Sequence, residues 1–163
     1  MRFFYDLEFL EDGTTIDLLS IGVAAEDGRE YYAVSTEADL SRAVPWVQAN
    51  VLPQLPPVAD PAWKTRSAIR DELLAFFGDE PVLWAWYGAY DHVALCQLWG
   101  AMPALPRALP RFTLDVRQLW EHLGRPALPK QGGGEHHALA DARHVRTRWE
   151  LLAEKAYRLG LDV

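Results

Sequence analysis

Cysteine, positive charge and long apolar runs are all scarce in this 163-residue chain. One cysteine, Cys96, cannot close an internal disulfide and adds little to a zinc site, which usually wants several thiolates. It lies among Leu95 and Leu98 and reads as a core residue, which fits a reducing, cytoplasmic setting. No apolar run approaches the roughly 18 residues of a membrane span, and no charged, apolar, small-residue leader is read at the start. A cytoplasmic protein without a membrane partner is therefore expected. Lys and Arg number 16 against 23 Asp and Glu, a formal charge of −7, which excludes a broad electrostatic grip on a polyanion. Ten of the sixteen basic residues nevertheless fall between Arg107 and Arg158, so one face can still be basic. A nucleic acid would then be held by a short end at a metal site rather than coated.

What is present is apolar and aromatic: half the residues are hydrophobic, with seven Trp, six Tyr and six Phe. A chain of this length buries about two thirds of its unfolded surface, and it shows no repeat and no second composition regime. A single domain spanning 1–163 is expected. Phe3 to Tyr5 reads as a short buried strand, followed by strands at Ile16–Ala25 and Glu30–Val34 across Asp12-Gly13 and Asp27-Gly28 turns. Short turns make these three strands an antiparallel meander. Ser35-Thr36 would cap a short helix over Glu37–Ala43, Pro45 opens a second helical stretch, and Pro53 to Pro61 is a proline-rich loop. Thr65 caps an amphipathic helix carrying Ile69, Leu73, Phe76 and Phe77 and stopped by Gly78. Pro81–Trp86 and Phe112–Val116 read as strands, Tyr90–Trp99 and Arg117–Leu123 as helices, and about His137 to Leu159 as the longest helix. The expected fold is α/β: a mixed five-stranded sheet, three antiparallel strands then two parallel, with helices on both faces.

Asp6 and Glu8 follow the first apolar run. The strand period of two puts them on one face, about 6–7 Å apart, where they repel unless a positive charge joins them. A divalent, oxygen-loving cation such as Mg²⁺ or Mn²⁺ is the simplest remedy; two solvated acids at a strand end is the plain alternative. Asp91 stands at the start of a helix, where it could equally serve the helix dipole. Asp141 lies in the first turns of the last helix, among small apolar residues. His136 is five residues before it, about 140° round the axis if both are helical, or else part of the Gly132–Gly134 loop and free to swing over the site.

Asp6-Leu7-Glu8, Tyr90-Asp91 and His136 followed by Asp141 resemble the three motifs of the DEDD superfamily of 3′–5′ exonucleases, in its histidine-type branch. The resemblance runs from residue 6 to about 142 and includes the order of strands and helices. It implies an RNase H-like fold and a size similar to the small stand-alone exoribonucleases. It implies two Mg²⁺ or Mn²⁺ ions held by Asp6, Glu8, Asp91 and Asp141, with Asp6 bridging, and His136 as general base. Histidine suits that role because it ordinarily titrates near neutrality. His137, four residues before Asp141, occupies the spacing of the tyrosine-type branch and remains the alternative base. The implied substrate is a single-stranded RNA 3′ end, the product a nucleoside 5′-monophosphate, and a homodimer is a candidate assembly because small relatives are often dimers.

The chain departs from the family pattern at Phe9-Leu10, where Thr or Ser usually follows, and at Tyr87, where many relatives carry Asn. Phe9, Leu10, Tyr87 and Tyr90 flank the motifs and are candidates for contacting the terminal bases, with core packing as the plain alternative. Asp115 resembles an acid often seen after the second motif, and a helix cap accounts for it equally well. A DNA exonuclease is the competing reading within the fold, since no residue separates ribose from deoxyribose. A non-catalytic zinc or nucleotide-binding module on His136, His137, His144 and nearby acids is the competing reading outside it.

Overall fold

The computed structural model describes residues 1–163. Three strands, β1 (Arg2–Glu11), β2 (Ile16–Ala25) and β3 (Glu30–Ser35), form the expected antiparallel meander. Asp12 makes the first turn: its carboxylate accepts the N–H groups of Thr14 at 3.0 Å and Thr15 at 2.7 Å. After a short helix α1 (Pro45–Asn50) come β4 (Trp63–Lys64), α2 (Arg66–Phe77), β5 (Val82–Ala85), α3 (Ala89–Cys96), β6 (Leu114–Asp115), α4 (Val116–His122) and α5 (Ala138–Arg158). The sheet order is β4-β3-β2-β1-β5-β6, with β4, β5 and β6 each parallel to its neighbour.

Three expectations need correction. The sheet has six strands, not five, because Trp63–Lys64 pairs beside β3 just past the proline-rich loop. β1 does not end at the carboxylates: β2 partners it out to Glu11, so Asp6 and Glu8 lie inside a ten-residue strand. No helix forms over Glu37–Ala43. Ser35 accepts the Glu37 N–H, Glu37 accepts the Arg66 N–H at 2.8 Å, and only a single 3₁₀ turn, Leu40–Arg42, follows, capped by Asp39.

The alternation of β1 divides the core. Phe3, Tyr5 and Leu7 face Ile69, Leu73 and Phe77 of α2 and Ala94 and Leu95 of α3. Phe4 points the other way, joining Trp84 to Val116 and Leu123 around α4 and Val145, Leu152 and Ala156 of α5. A third cluster joins Leu10, Leu19 and Val34 to Ala43, Val47 and Val51 around α1. Burying each such large side chain contributes about 1.5–3 kcal/mol, so both sheet faces are firmly covered. No helix is long and apolar enough to cross a membrane.

Candidate active site and metal centre

β1 outruns its parallel neighbour, and the site is built in the gap. β5 pairs only with Arg2–Phe4, so the edge of β1 beyond Phe4 has no strand partner on that side. Asp91, in the first turn of α3, fills the place: its Oδ1 accepts the Leu7 N–H at 3.0 Å. The acid is thereby buried, with only 6% of its surface exposed.

The fourth acid arrives because β2 has a glycine where it is needed. Gly22 stands opposite Asp6 in the ladder, and a Cβ there would lie 2.2 Å from the Leu139 backbone nitrogen. Without that side chain the first turn of α5 rests on the strand, and Asp141 comes down beside Asp6 and Glu8. One ligand atom each from Glu8, His136 and Asp141 lie within 4.8 Å of one another.

His136 is not on the helix. It has φ +66°, the left-handed region, at the end of the glycine loop. Its N–H donates to Asp141 Oδ2 at 2.9 Å, and the Gln131 side-chain amide donates to the other oxygen of the same carboxylate. The His136 ring meets Trp46 edge to face, with centroids 4.8 Å apart. His137 occupies the N-cap position of α5 and stacks on Tyr32 at 4.4 Å, outside the cleft. The zinc alternative loses His137, which is turned away onto Tyr32, and Cys96, which lies against His92 on α3.

Burial, and then the charges of Asp91, Asp141 and Glu8, hold the Asp6 carboxyl well above the usual carboxylate range. Burial, reinforced by Asp141 and Asp91, pushes Glu8 up to about 8. Burial also pushes Asp91 up to about 7, against the opposing pull of the Leu7 N–H and with Asp115 adding to the rise. None of the four acids is ion-paired with a lysine or arginine. Clustered acids without an ion-pair partner are the donor set that a hard divalent cation satisfies.

The cleft holds about 750 Å³ and is lined by Asp6, Glu8, Phe9, Tyr87, Tyr90, Asp91, His136 and Asp141 among others. Phe9 and Tyr90 stack with ring centroids 6.0 Å apart. Tyr87 is exposed at φ +61°, and Asp115 holds that turn, accepting the N–H groups of Tyr87 and Gly88 at 3.3 and 3.2 Å while capping α4. Leu10 is a correction: it shares a face of β1 with Glu8, but there α1 covers the strand and buries Leu10 beside Leu19 and Val47, so it cannot contact a base. Trp46, Gln131, Lys130 and Arg148 also line the cleft and were not singled out from the sequence. Trp46 lies ninety residues from His136, and no local pattern connects them.

Residues 1–153 match the family described as the 3′–5′ exoribonuclease Rv2179c-like domain. The chain is 58% identical over 156 residues to the 3′–5′ exoribonuclease Rv2179c of Mycobacterium tuberculosis strain H37Rv, covering 93% of each chain. It is equally similar to the 3′–5′ exoribonuclease MT2234.1 of strain CDC 1551 of that organism. Among solved structures, Escherichia coli exonuclease I in complex with a dT13 oligonucleotide superposes with TM-score 0.67 at 13% identity, over 98% of this chain. The chain spans 42% of the length of that enzyme, and the likeness is one of fold.

Proposed function

We propose, since the chain belongs to the Rv2179c-like family of 3′–5′ exoribonuclease domains, that it shortens single-stranded RNA from the 3′ end with the help of divalent cations. The observation that carries the reading is the meeting of Asp6, Glu8, Asp91, Asp141 and His136 in one cleft. Asp6, Glu8, Asp91 and Asp141 would hold two Mg²⁺ or Mn²⁺ ions. The chemistry those ions would supply is neutralisation of charge at the scissile phosphate and acidification of a nearby water.

The chain's own residues do the rest. His136 takes a proton at a ring nitrogen from the attacking water, its backbone tied to Asp141 so that base and carboxylates keep their spacing. Water oxygen bonds to phosphorus, and the bond from phosphorus to the 3′ oxygen of the preceding nucleotide breaks. That oxygen leaves as a hydroxyl once protonated, and the product is a nucleoside 5′-monophosphate. The Phe9–Tyr90 pair and Tyr87 offer apolar faces to the terminal bases, where stacking is worth about 1–3 kcal/mol per base. RNA is preferred over DNA in this reading because the Mycobacterium tuberculosis relatives are exoribonucleases.

The test is digestion of 5′-labelled single-stranded RNA and of matched DNA with Mn²⁺ or Mg²⁺, beside Asp6→Ala. A ladder shortening from the 3′ end of the RNA, lost without metal and in the variant, is expected. Faster loss of the DNA strand would reassign the substrate, and an intact RNA in all lanes would remove the activity.

A further inference from the structure

Most basic side chains of this protein are committed to acids. Lys130 and Arg148 line the cleft without an ion pair, although the cleft is rich in carboxylates. Arg148 is the more constrained of the two. Its guanidinium carbon lies 4.2 Å over the Trp86 ring, and its Nε is buried without a hydrogen-bond partner. A cation that merely covers Trp86 with its stem would keep its donors in water. A buried donor left unsatisfied is costly, so the geometry calls for a partner supplied from outside.

Position says which partner. Arg148 follows Asp141 by seven residues on α5, two turns on the same face and about 10.5 Å along the axis. Helical side chains lean toward the N-terminus, so this long side chain reaches back along the cleft toward the carboxylates. A planar guanidinium braced on an aromatic ring matches the paired oxygens of a phosphodiester.

We propose that Arg148, braced by Trp86, binds the non-reacting phosphodiester next to the one at the carboxylates. The inference rests on the nuclease reading and extends it. The cations at Asp6 and its neighbours serve the phosphate being cut. The adjacent phosphate enters the same acidic cleft and needs its own positive partner, and Arg148 provides it. The residue is thus a determinant of strand affinity rather than of the chemical step.

The probe is a 5′-fluorescent single-stranded RNA, all native or carrying one uncharged methylphosphonate at the linkage next to the 3′-terminal one. Its binding is followed by anisotropy with Ca²⁺ and its cleavage by KM and kcat with Mn²⁺. Arg148→Met keeps an unbranched stem over Trp86 while removing the charge, and Arg148→Lys keeps the charge without the fork. Arg148→Met is expected to weaken binding and raise KM about tenfold or more, with kcat nearly unchanged and the salt slope reduced by about one. Arg148→Lys should recover part of the loss. The neutral linkage should weaken wild-type binding similarly but cost Arg148→Met nothing further. An equal penalty from the neutral linkage in wild type and Arg148→Met would overturn the contact, as would a loss confined to kcat. Wild-type binding with these couplings but no cleavage would uphold the contact and sink the nuclease reading; no binding of either strand would end both.

Discussion

His136 occupies a backbone conformation that costs a side-chain-bearing residue about 1–2 kcal/mol. It persists because its N–H is bonded to Asp141 and its ring is held against Trp46. Strain held by the residues that build a site fits a group needed at one spot. His136→Ala is expected to lower kcat about 10²-fold or more while leaving Mn²⁺ affinity nearly intact, as removal of a general base should. His137→Ala, which removes a ring stacked on Tyr32, should keep most of the rate. Single-turnover kinetics with calorimetric Mn²⁺ titration checks both. Loss of Mn²⁺ binding in His136→Ala would make the residue a ligand instead.

At the scale of elements, the contact between β2 and α5 decides whether the site exists. Gly22 needs no unusual dihedral; what it provides is room for the α5 backbone directly opposite Asp6. Gly22→Ala must push the first turn of α5 off the strand, carrying Asp141 away from Asp6 and Glu8. Overpacking of this kind costs about 1–3 kcal/mol, so the variant should still fold, with a lower melting temperature. Its activity should fall much further, about 10²-fold, since small misplacements at a reacting centre are expensive in rate. Thermal melts and cleavage rates on one preparation separate the two effects. Equal and small changes in both would show that α5 is not held by this contact.

Over the whole molecule, uncompensated negative charge in the cleft ties stability to pH and metal. Unfolded, Glu8 and Asp91 return to their ordinary values of 4.5 and 3.8; folded and metal-free, they are pushed up to about 8 and about 7. Between those limits the folded protein binds more protons than the unfolded chain, so stability falls as pH rises from about 4 to about 8. The melting temperature of metal-stripped protein should therefore drop steadily across that window. Mn²⁺, competing with protons for the same carboxylates, should raise it more at pH 8 than at pH 5. Melting scans at both pH values, with and without Mn²⁺, measure this. A metal-free protein that grows more stable with rising pH would show that these acids are not the dominant charges.

The sequence alone determined the features that short-range chemistry decides. Asp-Gly turns placed the meander, with Ile16–Ala25 found to the residue, and Thr65 and Gly78 bounded α2 as their capping chemistry requires. The pairing of Asp6 with Glu8 on one face followed from the strand period, and Asp91 and Asp141, both at helix starts, were drawn to the site by their match to the exonuclease motifs. Only the tertiary structure decided what depends on a partner distant in the chain. β1 reaches Glu11 because β2 is there to bond it, and β4, two residues long, is a strand only by virtue of its neighbour β3. His136 rather than His137 faces the cleft because the glycine loop turns left-handed just before α5 docks on Gly22. Leu10 went to the core, and Trp46 and Arg148 to the cleft, for the same reason: which side of an element meets the core and which the open cleft is settled by packing.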